Sequence, residues 1–448
     1  MHRDRHCQYR GHHRHSGPNG GGRSERCSGL SPPPPWPTTE LSAQRQPMKI
    51  LVLNSGSSSI KFRLFAVAGD DWRVAASGAA TRIGEDGAAV RLSWTDAAGE
   101  VRSREDAATI ASHHAGIEHI VTALQHTGAL GGIAELGAVG HRVVHGGEAF
   151  HAPTLVDDDV IAAIRRMIPL APLHNPANLD GIMVARALFP GVPQVAVFDT
   201  AFHQTMPRTA YRYAIPGYLY REHHVRRYGF HGTSHHYVAK AAARMLDKPL
   251  SHCNLITLHL GNGASATAIR EGASVDTSMG MTPLEGLVMG SRCGDIDPAV
   301  HFYLCRHLGF DNDTMDDLLN RQSGLVGLCG VNDMREVHRL AEAGDEDAEL
   351  ALGVTCHRLR KYIGAYVAVL GRVDAVVFTG GIGENDAEIR RCACAELEQL
   401  GIALDPHANA QVQGRVGTIS RADSRVAVLV VPTDEELEIG RETLEAIS

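Results

Sequence analysis

The sequence predicts an α/β protein in which one architectural plan occurs twice, with a cleft between the two halves. Two Gly-rich segments of similar pattern lie half a chain apart, KILVLNSGSSSIKF at Lys49–Phe62 and NLITLHLGNGASATA at Asn254–Ala268. In each, an apolar β-prone run ends in Asn and Gly, and a second strand-like run follows. Main-chain N–H groups in such turns can approach an anion closely, so two copies indicate two like domains that face a shared phosphate-bearing ligand.

The first half is predicted to begin with an antiparallel meander and to continue with helices and strands in turn. The expected strands are, in order, Lys49–Leu53, Ile60–Val67, Val90–Trp94, Leu136–Val139 and Gln194–Phe198. A helix is expected around Ile117–Gln125. Asn175-Pro176 predicts the start of another helix, with Asn as its cap and Pro in its first turn.

The second half repeats this plan. Its expected strands are Leu255–Leu260, Ala264–Arg270, Ala273–Asp276, Ala375–Phe378 and Val426–Val431. Helices are expected after Asp297-Pro298, over Asp347–Leu370, and from Thr433 to near the end of the chain. Thr433 and Glu436 have the T-x-x-E spacing of a capping box at the start of that last helix.

These elements predict two domains behind an N-terminal extension. Residues 48–196 form the first domain, completed by the C-terminal helix 433–448, and residues 197–432 form a nucleotide-binding second domain. Residues 1–47 are rich in His, Arg, Gly and Ser and contain PPPPWP, so they cannot bury enough apolar surface to fold. We expect a disordered extension or a misplaced start codon, with Met48 as the true start.

Composition excludes several classes of protein. The net charge of −8 gives no support to a nucleic-acid or anionic-membrane partner. The apolar runs are of strand length, too short for a membrane span. The nine cysteines are scattered without a CxxC pair, which is typical of a reduced cytoplasmic chain with structural thiols.

The Gly-rich turns match neither common nucleotide fingerprint. Gly56–Lys61 lacks the second Gly of a Walker A loop, and GNGASA lacks the third Gly of a dinucleotide loop. Any phosphates would therefore be held by strand-turn-strand loops. For one such loop taken alone, an ordinary hairpin remains the alternative.

Two arginines strengthen the prediction of an anionic ligand. Arg142 lies in GHRVVHGG and Arg292 lies in MGSRCGD, each among glycines. A planar guanidinium suits a carboxylate or a phosphoryl group. The alternative for each arginine is a structural role in which loop carbonyls accept its hydrogen bonds.

Further candidates carry imidazole or carboxylate groups. His231 precedes an expected helix cap at Thr233 or Ser234 and could donate a hydrogen bond to an oxyanion. His235 follows His231 at zinc-site spacing, but HGTSH lacks the Glu of HExxH, so zinc is not favoured. Asp199, at a strand end, and Glu435, which the capping box leaves free, are candidates for a hydrated Mg²⁺.

Together these segments closely resemble the acetate kinases, within the acetate and sugar kinase/actin-like superfamily. The resemblance runs from Met48 to the end of the chain through LNSGSSSIKF, GHRVVHGG, PLHNPANL, VFDTAFHQTMP, YGFHGTSH, HLGNGAS, DTSMGMTPLEGLVMGSRCGDIDP, TGGIGEN and PTDEE. It implies a duplicated actin-like (ribonuclease H-like) two-domain fold with an inter-domain active-site cleft. It also implies reversible, Mg²⁺-dependent phosphoryl transfer from ATP to acetate, giving acetyl phosphate and ADP, by a cytoplasmic homodimer.

The resemblance also implies roles for particular residues. Asn54 and Glu435 match the Mg²⁺ positions, where Mn²⁺ is an alternative, and Lys61 matches a nucleotide contact. Arg142 matches the substrate-binding arginine, and His231 and Arg292 match the pair that stabilises the transition state. Asp199 matches the active-site aspartate, described in the family as a proton donor or acceptor. Because acetate is already ionised at neutral pH, we expect Asp199 instead to orient Mg²⁺-bound water or an arginine.

Two sets of positions complete the implied site. The ATP site maps to His259, Leu260, Gly261, Asn262, Gly263, Asp333, Met334, Arg335, Gly381, Ile382, Gly383, Glu384 and Asn385. The apolar pocket for the acetate methyl group maps to Val144, Leu173, Phe230 and Pro283. Cys329 in GLCGVND departs from the family, where many members carry a hydroxyl residue, and residues 1–47 have no counterpart.

Two rival interpretations remain. One is a propionate or butyrate kinase on the same scaffold, which a substrate series would distinguish. The other is an actin-like ATP-binding chaperone or filament protein, since fold alone does not fix function. The absence of any segment after the PTDEE helix that could bind a peptide argues against the second, as does the set of Arg142, Arg292 and His231.

Overall fold

The computed structural model describes residues 47–448 except Ser57, Ala97 and Leu173. The expectation of disorder for residues 1–47 therefore lies, apart from Pro47, outside the described residues.

The first sheet contains eight strands. In chain order they are β1 (Met48–Ser55), β2 (Ser59–Ala68), β3 (Asp71–Thr81), β4 (Ala89–Thr95), β5 (Val101–Ala107), β6 (Leu136–Val143), β7 (Thr154–Leu155) and β8 (Gln194–Phe198). Their order across the sheet is β5-β4-β3-β2-β1-β6-β8-β7. Strands β1 to β5 form an antiparallel meander, and β1, β6 and β8 run parallel.

The second sheet contains six strands and repeats the centre of the first. They are β9 (Asn254–Leu260), β10 (Ala264–Arg270), β11 (Ala273–Thr277), β12 (Ala375–Thr379), β13 (Gly417–Thr418) and β14 (Ala427–Val430), in the order β11-β10-β9-β12-β14-β13. Strands β9 to β11 are antiparallel, whereas β9, β12 and β14 are parallel. Because β3-β2-β1-β6-β8 and β11-β10-β9-β12-β14 share one topology, the predicted duplicated α/β fold is confirmed.

Helices connect and cover the strands. They are α1 (His113–His126), α2 (Asp158–Arg166), α3 (Asn175–Leu188), α4 (Arg208–Tyr211), α5 (Gly217–His223), α6 (Gly232–Met245), α7 (Ala299–Leu308), α8 (Asn312–Arg321), α9 (Gly324–Cys329), α10 (Met334–Glu342), α11 (Glu346–Leu370), α12 (Gly380–Asn385), α13 (Ala387–Cys394), α14 (Pro406–Gln411) and α15 (Glu435–Ile447). Short 3₁₀ turns lie at Ile133–Glu135, Ile168–Leu170, Ala201–Thr205, Leu250–His252 and Glu398–Leu400. Within residues 47–448, no described helix is both long and apolar enough to cross a membrane.

The central parallel strands are buried on both faces, which their continuous apolar sequences anticipate. All five residues of β8 and all five of β12 are buried. Helix α15, from the end of the chain, packs back on the first sheet, where Ile439 joins an apolar cluster with Ile50, Val52 and Phe65. This packing agrees with the C-terminal helix as part of the first domain. The predicted boundary between residues 196 and 197 falls inside β8, and the domain division stays a prediction.

The predicted caps of α3 and α15 are wrong. Asn175 is the first residue of α3, and its side chain exchanges hydrogen bonds with the main chain of His145 instead of capping the helix. The last helix is capped by Asp434, whose carboxylate accepts from the Leu437 N–H at 3.0 Å. Asp and Thr both have the short acceptor side chain that favours an N-cap. Because Asp434 takes this position one residue after Thr433, the helix begins at Glu435.

Candidate active site

Three predicted site residues meet at one edge of the first sheet. Asn54 and Arg142 lie near the carboxyl ends of β1 and β6, and Asp199 directly follows β8. These three strands are parallel neighbours, so their carboxyl ends lie side by side. In open α/β sheets this edge is where ligands bind.

Arg142 is held by a buried carboxylate. Its Nε and Nη2 atoms donate to the two carboxylate oxygens of Asp199 at 3.0 and 2.6 Å, and Asp199 is 1% exposed. Nη1 lies 3.4 Å from Oδ1 of Asn54, and Nε lies 3.8 Å from Oε2 of Glu435. Burial alone would lower the pKa of the guanidinium, but Asp199 and Glu435 outweigh it and raise that pKa, so Arg142 stays charged.

Arg292 brings a second positive charge from the other half of the chain. It lies in the loop between β11 and α7, where its Nη1 donates to the carbonyl oxygen of Pro283 at 3.0 Å. No carboxylate pairs with Arg292 anywhere in the described part of the chain, and burial lowers the pKa of its guanidinium. A half-buried guanidinium without a counter-ion is a ready partner for a bound anion.

The loop of Arg292 packs directly on the GNG turn. The Gly290 N–H donates to the carbonyl oxygen of Asn262 at 2.9 Å, and a Cβ at Gly290 would collide with the Asn262 amide. A Cβ at Gly263 would lie 3.6 Å from Nη1 of Arg292 and 3.6 Å from Nε2 of His231. Arg292 and His231, predicted to act as a pair, are therefore brought together beside the second Gly-rich turn.

His174, which was missed by the sequence analysis, is influenced electrostatically by both arginines. Burial lowers the pKa of its imidazole, and the positive charges of both Arg142 and Arg292 lower it further, whereas Asp199 opposes the shift. Both arginines are therefore close enough to His174 to act on its charge. His174 lies in the segment PLHNPANL, for which the sequence predicted only a helix start at Asn175-Pro176.

His231 is positioned by the backbone as well as by its ring contacts. It precedes α6 with a left-handed φ of 58°, so the helix begins at Gly232 and the expected caps at Thr233 or Ser234 are wrong. Its ring stacks on that of His259 with centroids 4.3 Å apart. Burial, followed by neighbouring imidazoles and the arginines, lowers the pKa of His231 well below its usual value, so the ring is neutral.

His231 and His235 do not face each other as a zinc pair. His231 Nδ1 contacts the Ser265 hydroxyl at 2.9 Å, and His235 Nε2 contacts the same hydroxyl at 2.8 Å. The second nitrogen of His235, Nδ1, contacts the Thr257 hydroxyl at 2.7 Å. Both nitrogens of His235 are thus occupied, which agrees with the expectation that HGTSH is not a zinc motif.

Three predicted nucleotide segments line one open cleft of about 870 Å³. The predicted residues that line it are Gly261, Asn262, Asp333, Met334, Arg335, Gly381, Ile382 and Asn385. They come from the turn after β9, the start of α10 and the start of α12, which are far apart in sequence. A cavity of this volume is of the size that small-molecule and cofactor sites have.

The remaining predicted nucleotide residues do not line this cleft. His259 packs against His231, and Leu260 lines a neighbouring enclosed cavity. Gly383 is buried inside α12. Glu384 accepts from the N–H groups of Gly380 and Thr433, at 2.9 and 3.1 Å, and so ties α12 to the PTDEE segment. Lys61 is exposed on β2, directly opposite Asn54 in the strand pair.

Three of the four residues predicted to form the apolar pocket are described, and two of them are buried in one cluster. Val144 is 6% exposed and Phe230 is 2% exposed, and both belong to one apolar cluster. Val144 follows Arg142 by two residues, and the carbonyl oxygen of Pro283 accepts a hydrogen bond from Arg292. Leu173, the fourth predicted residue of this pocket, lies outside the described residues.

Sequence comparisons place these features in a family. A model of the acetokinase family matches residues 49–441. An acetate kinase of Syntrophobacter fumaroxidans is 53% identical over 401 residues, which cover 89% of this chain and 97% of that protein. An acetate kinase of Streptomyces avermitilis is 56% identical over 397 residues, with 89% and 97% covered. The chain belongs to the acetokinase family.

Solved structures agree with this membership of the acetokinase family. The crystal structure of an acetate kinase from Porphyromonas gingivalis is 43% identical, with a TM-score of 0.83 and 90% of this chain and 100% of that chain covered. A propionate kinase from Francisella tularensis is 42% identical, with a TM-score of 0.82 and 89% and 99% covered. The predicted fold and the resemblance to the acetate kinases are thereby confirmed.

Proposed function

We propose that this member of the acetokinase family is an acetate kinase that transfers the γ-phosphoryl group of ATP reversibly to acetate, forming acetyl phosphate and ADP. The observation that carries this proposal is a hydrogen bond that joins the two sides of the site: the N–H of Gly232, which follows His231, donates to the main-chain oxygen of Asp199 at 2.9 Å. Asp199 holds Arg142, and His231 lies with Arg292 beside the GNG turn. Both reactants are anions, so their mutual repulsion is the main obstacle. Convergent positive charge removes it and then stabilises the transferring group.

The arrangement supports distinct roles for the two arginines. Asp199 occupies Nε and Nη2 of Arg142, which leaves Nη1 directed past Asn54 to bind the acetate carboxylate. Arg292 has no carboxylate partner within the described residues, so its free N–H groups would contact the equatorial oxygens of the transferring phosphoryl group. The approach of His231 Nε2 to the same turn supports a hydrogen bond to one of those oxygens.

Asp199 is better suited to orienting Arg142 than to exchanging a proton. Its carboxylate accepts two hydrogen bonds from one guanidinium, a geometry that fixes the plane of that group. Acetate carries no proton to remove at neutral pH. Asp199 would therefore act by holding Arg142 in the direction that acetate requires.

Mg²⁺ fits the oxygen ligands near Arg142, and Mn²⁺ has similar preferences. Asn54 offers an amide oxygen and Glu435 a carboxylate, the hard donors that Mg²⁺ prefers, and both lie beside the same guanidinium. When bound with ATP, the ion would neutralise charge on the phosphates. Asn54 and Glu435 would hold it at the edge of the first sheet, while the cleft lined by Gly261, Asp333 and Gly381 would bind the nucleotide.

An acyl-phosphate assay tests this function. With ATP, Mg²⁺ and acetate, the protein should generate acetyl phosphate, which hydroxylamine traps as a coloured hydroxamate. Bound ATP without any hydroxamate from acetate, propionate or butyrate would instead favour the rival interpretation of an actin-like ATP-binding protein.

A propionate kinase is the second candidate, because a propionate kinase from Francisella tularensis shares the fold at 42% identity. The apolar side chains of Val144 and Phe230, proposed to contact the acyl group, would limit its length. We expect kcat/KM to fall steeply from acetate through propionate to butyrate. Comparable values for acetate and butyrate would contradict the assignment.

Shortening Val144 should relax this selectivity. Because one methylene in an apolar pocket is worth about 1–3 kcal/mol, Val144→Ala should raise kcat/KM for propionate relative to acetate by about tenfold or more. Val143→Ala is a matched control, since Val143 is equally buried but packs in a different cluster with Phe150 and Phe198. An unchanged ratio in Val144→Ala, or an equal change in both variants, would remove Val144 from the pocket.

We also propose that the protein is a cytoplasmic homodimer, as its resemblance to the acetate kinases implies. Helix α7 supports a self-association surface, because it contains no buried residue. It exposes large apolar side chains at Val300, Phe302, Tyr303 and Leu308, with Phe302 56% and Tyr303 60% exposed. Contiguous exposed apolar surface of this kind marks protein–protein contacts.

Charges on α7 should prevent dimer formation. The double variant Phe302→Asp/Tyr303→Asp should elute as a monomer in size-exclusion chromatography with light scattering, whereas the wild type should have twice that mass. Leu350→Asp is the control, because Leu350 is similarly exposed on α11. A wild-type monomer at micromolar concentration, or a double variant that stays dimeric, would contradict the assignment of α7.

A further inference from the structure

A chain of buried hydroxyl and imidazole groups leads away from His231. Its Nδ1 lies 2.9 Å from the Ser265 hydroxyl, which lies 2.8 Å from Nε2 of His235. Nδ1 of His235 lies 2.7 Å from the Thr257 hydroxyl. Ser265, His235 and Thr257 are all 0% exposed. The chain runs from His231, just before α6, to Ser265 on β10, then to His235 in α6 and on to Thr257 on β9, and solvent does not reach the three residues beyond His231.

Both imidazoles in this chain are neutral. Burial is the largest cause that lowers the pKa of His231 and of His235 well below the usual value, and neighbouring imidazoles add to it. A neutral ring carries one N–H donor and one bare acceptor nitrogen. Which nitrogen carries the hydrogen is then decided by the partners around each ring.

Counting donors and acceptors leaves one arrangement in which every group is satisfied. Thr257 Oγ has no hydrogen-bond partner besides His235 Nδ1 among the described residues, so its hydrogen must be donated to that nitrogen. His235 then carries its hydrogen on Nε2 and donates it to Ser265. The Ser265 hydrogen remains for Nδ1 of His231, and the hydrogen of His231 is left on Nε2.

The reverse arrangement leaves groups unpaired. If His231 donated from Nδ1 to Ser265, then Ser265 would donate to His235, and His235 would donate to Thr257. The Thr257 hydroxyl hydrogen would then be buried without an acceptor. His231 would also present a bare lone pair at Nε2, beside Gly263 and Arg292, where an anion is expected to bind.

We propose that Thr257, His235 and Ser265 act as positioning residues that hold His231 in the tautomer with its hydrogen on Nε2. His231 thereby becomes a neutral hydrogen-bond donor aimed at the space beside Arg292. A neutral imidazole that polarises an oxygen is an established way to stabilise developing negative charge. The functional part of this inference rests on the proposed phosphoryl transfer, and no proton leaves His231 during the step.

Nitrogen NMR of the full-length protein tests the tautomer without any substrate. In protein labelled with ¹⁵N-histidine, long-range proton–nitrogen correlations distinguish a protonated ring nitrogen from a bare one. His231, assigned by its loss in His231→Asn, should show a bare Nδ1 and a protonated Nε2. The opposite pattern would overturn the inference, whatever reaction the protein catalyses. If His231 has the expected tautomer but the protein forms no acyl phosphate, the inference about the hydrogen-bonded chain stands and the proposed function is rejected.

Two variants test whether the chain of Ser265, His235 and Thr257 sets this tautomer. Ser265→Ala removes the donor to His231, and the nearly isosteric Thr257→Val removes the far end of the chain without touching the site. Each should give a mixture of His231 tautomers. Since loss of a whole oxyanion donor costs about 100-fold or more in kcat, we expect a partial loss of roughly tenfold in Ser265→Ala, with a smaller loss in Thr257→Val.

The kinetic pattern separates positioning from a general structural defect. KM for acetate and for ATP should change by less than about twofold, because the donor acts on the transferring group. Ser265→Thr keeps the hydroxyl and should restore the tautomer. Ser274→Ala is the matched control, since it removes an equally buried hydroxyl that lies 2.9 Å from a different imidazole, His203. A single His231 tautomer in Ser265→Ala, or the same mixture in Ser274→Ala, would overturn the inference.

Discussion

Arg292→Ala should lower kcat by about 10³-fold or more, with little change in the affinity for ATP, because an arginine that acts on the transition state of phosphoryl transfer contributes on that scale. Arg292 has no carboxylate partner within the described residues, so its removal leaves no buried acid unpaired. The measurement is steady-state kinetics of hydroxamate formation together with ATP binding by calorimetry.

A glutamine at the same position separates charge from packing. Arg292→Gln can still donate to the Pro283 carbonyl oxygen, which accepts a hydrogen bond from the wild-type guanidinium, yet it carries no charge. We expect kcat in this variant to be nearly as low as in Arg292→Ala. Turnover close to that of the wild type in either variant would remove Arg292 from the stabilisation of the transferring group.

Arg142→Ala should raise KM for acetate by about tenfold to 100-fold and should also lower kcat. This range corresponds to the loss of a charge-assisted hydrogen bond worth about 1.5–3 kcal/mol. KM for ATP should change much less, because the cleft at Gly261, Asp333 and Gly381 does not contain Arg142. Acetate saturation curves for the variant and the wild type give the answer.

The Arg142→Ala variant needs a control, because it leaves the Asp199 carboxylate without its partner. Without Arg142, the carboxylate of Asp199 is buried and unpaired, which destabilises the fold independently of substrate binding. The double variant Arg142→Ala/Asp199→Asn removes that penalty and should recover much of the lost melting temperature. Its acetate KM should remain high, whereas a KM restored to the wild-type value would show that Arg142 does not bind acetate.

The sequence predicted the central strands well because their burial is complete. Gln194–Phe198 and the strand at Ala375 are continuous apolar runs, the pattern of parallel strands covered on both faces. Strands β3 and β5 were missed for the opposite reason. β5, VRSREDA, is an edge strand with almost every residue exposed, and it has charged side chains such as Glu105, which pairs with Arg91. Its polar composition resembles that of a loop.

The candidate site was predictable where one residue type points to one chemistry. Arg142 and Arg292 stood out as guanidinium groups among glycines, and in the structure Arg142 is held by Asp199 while Arg292 lies with His231 beside Gly263. The connections among residues were not predictable, because they depend on three-dimensional contacts. Nothing in the segment around Ser265 indicates that its hydroxyl lies between the imidazoles of His231 and His235. The cap at Asp434 shows the same limit, since Thr433 and Asp434 are both good N-cap residues.

The most direct measurement is a crystal structure with ADP, Mg²⁺, acetate and a planar aluminium fluoride in place of the transferring phosphoryl group. We expect Arg142 to contact the acetate carboxylate, while Arg292 and His231 Nε2 donate to the fluorine atoms at about 2.7–3.1 Å. A structure in which Arg142 and Arg292 line separate cavities, so that one of them contacts neither the aluminium fluoride nor acetate, would contradict the proposed mechanism.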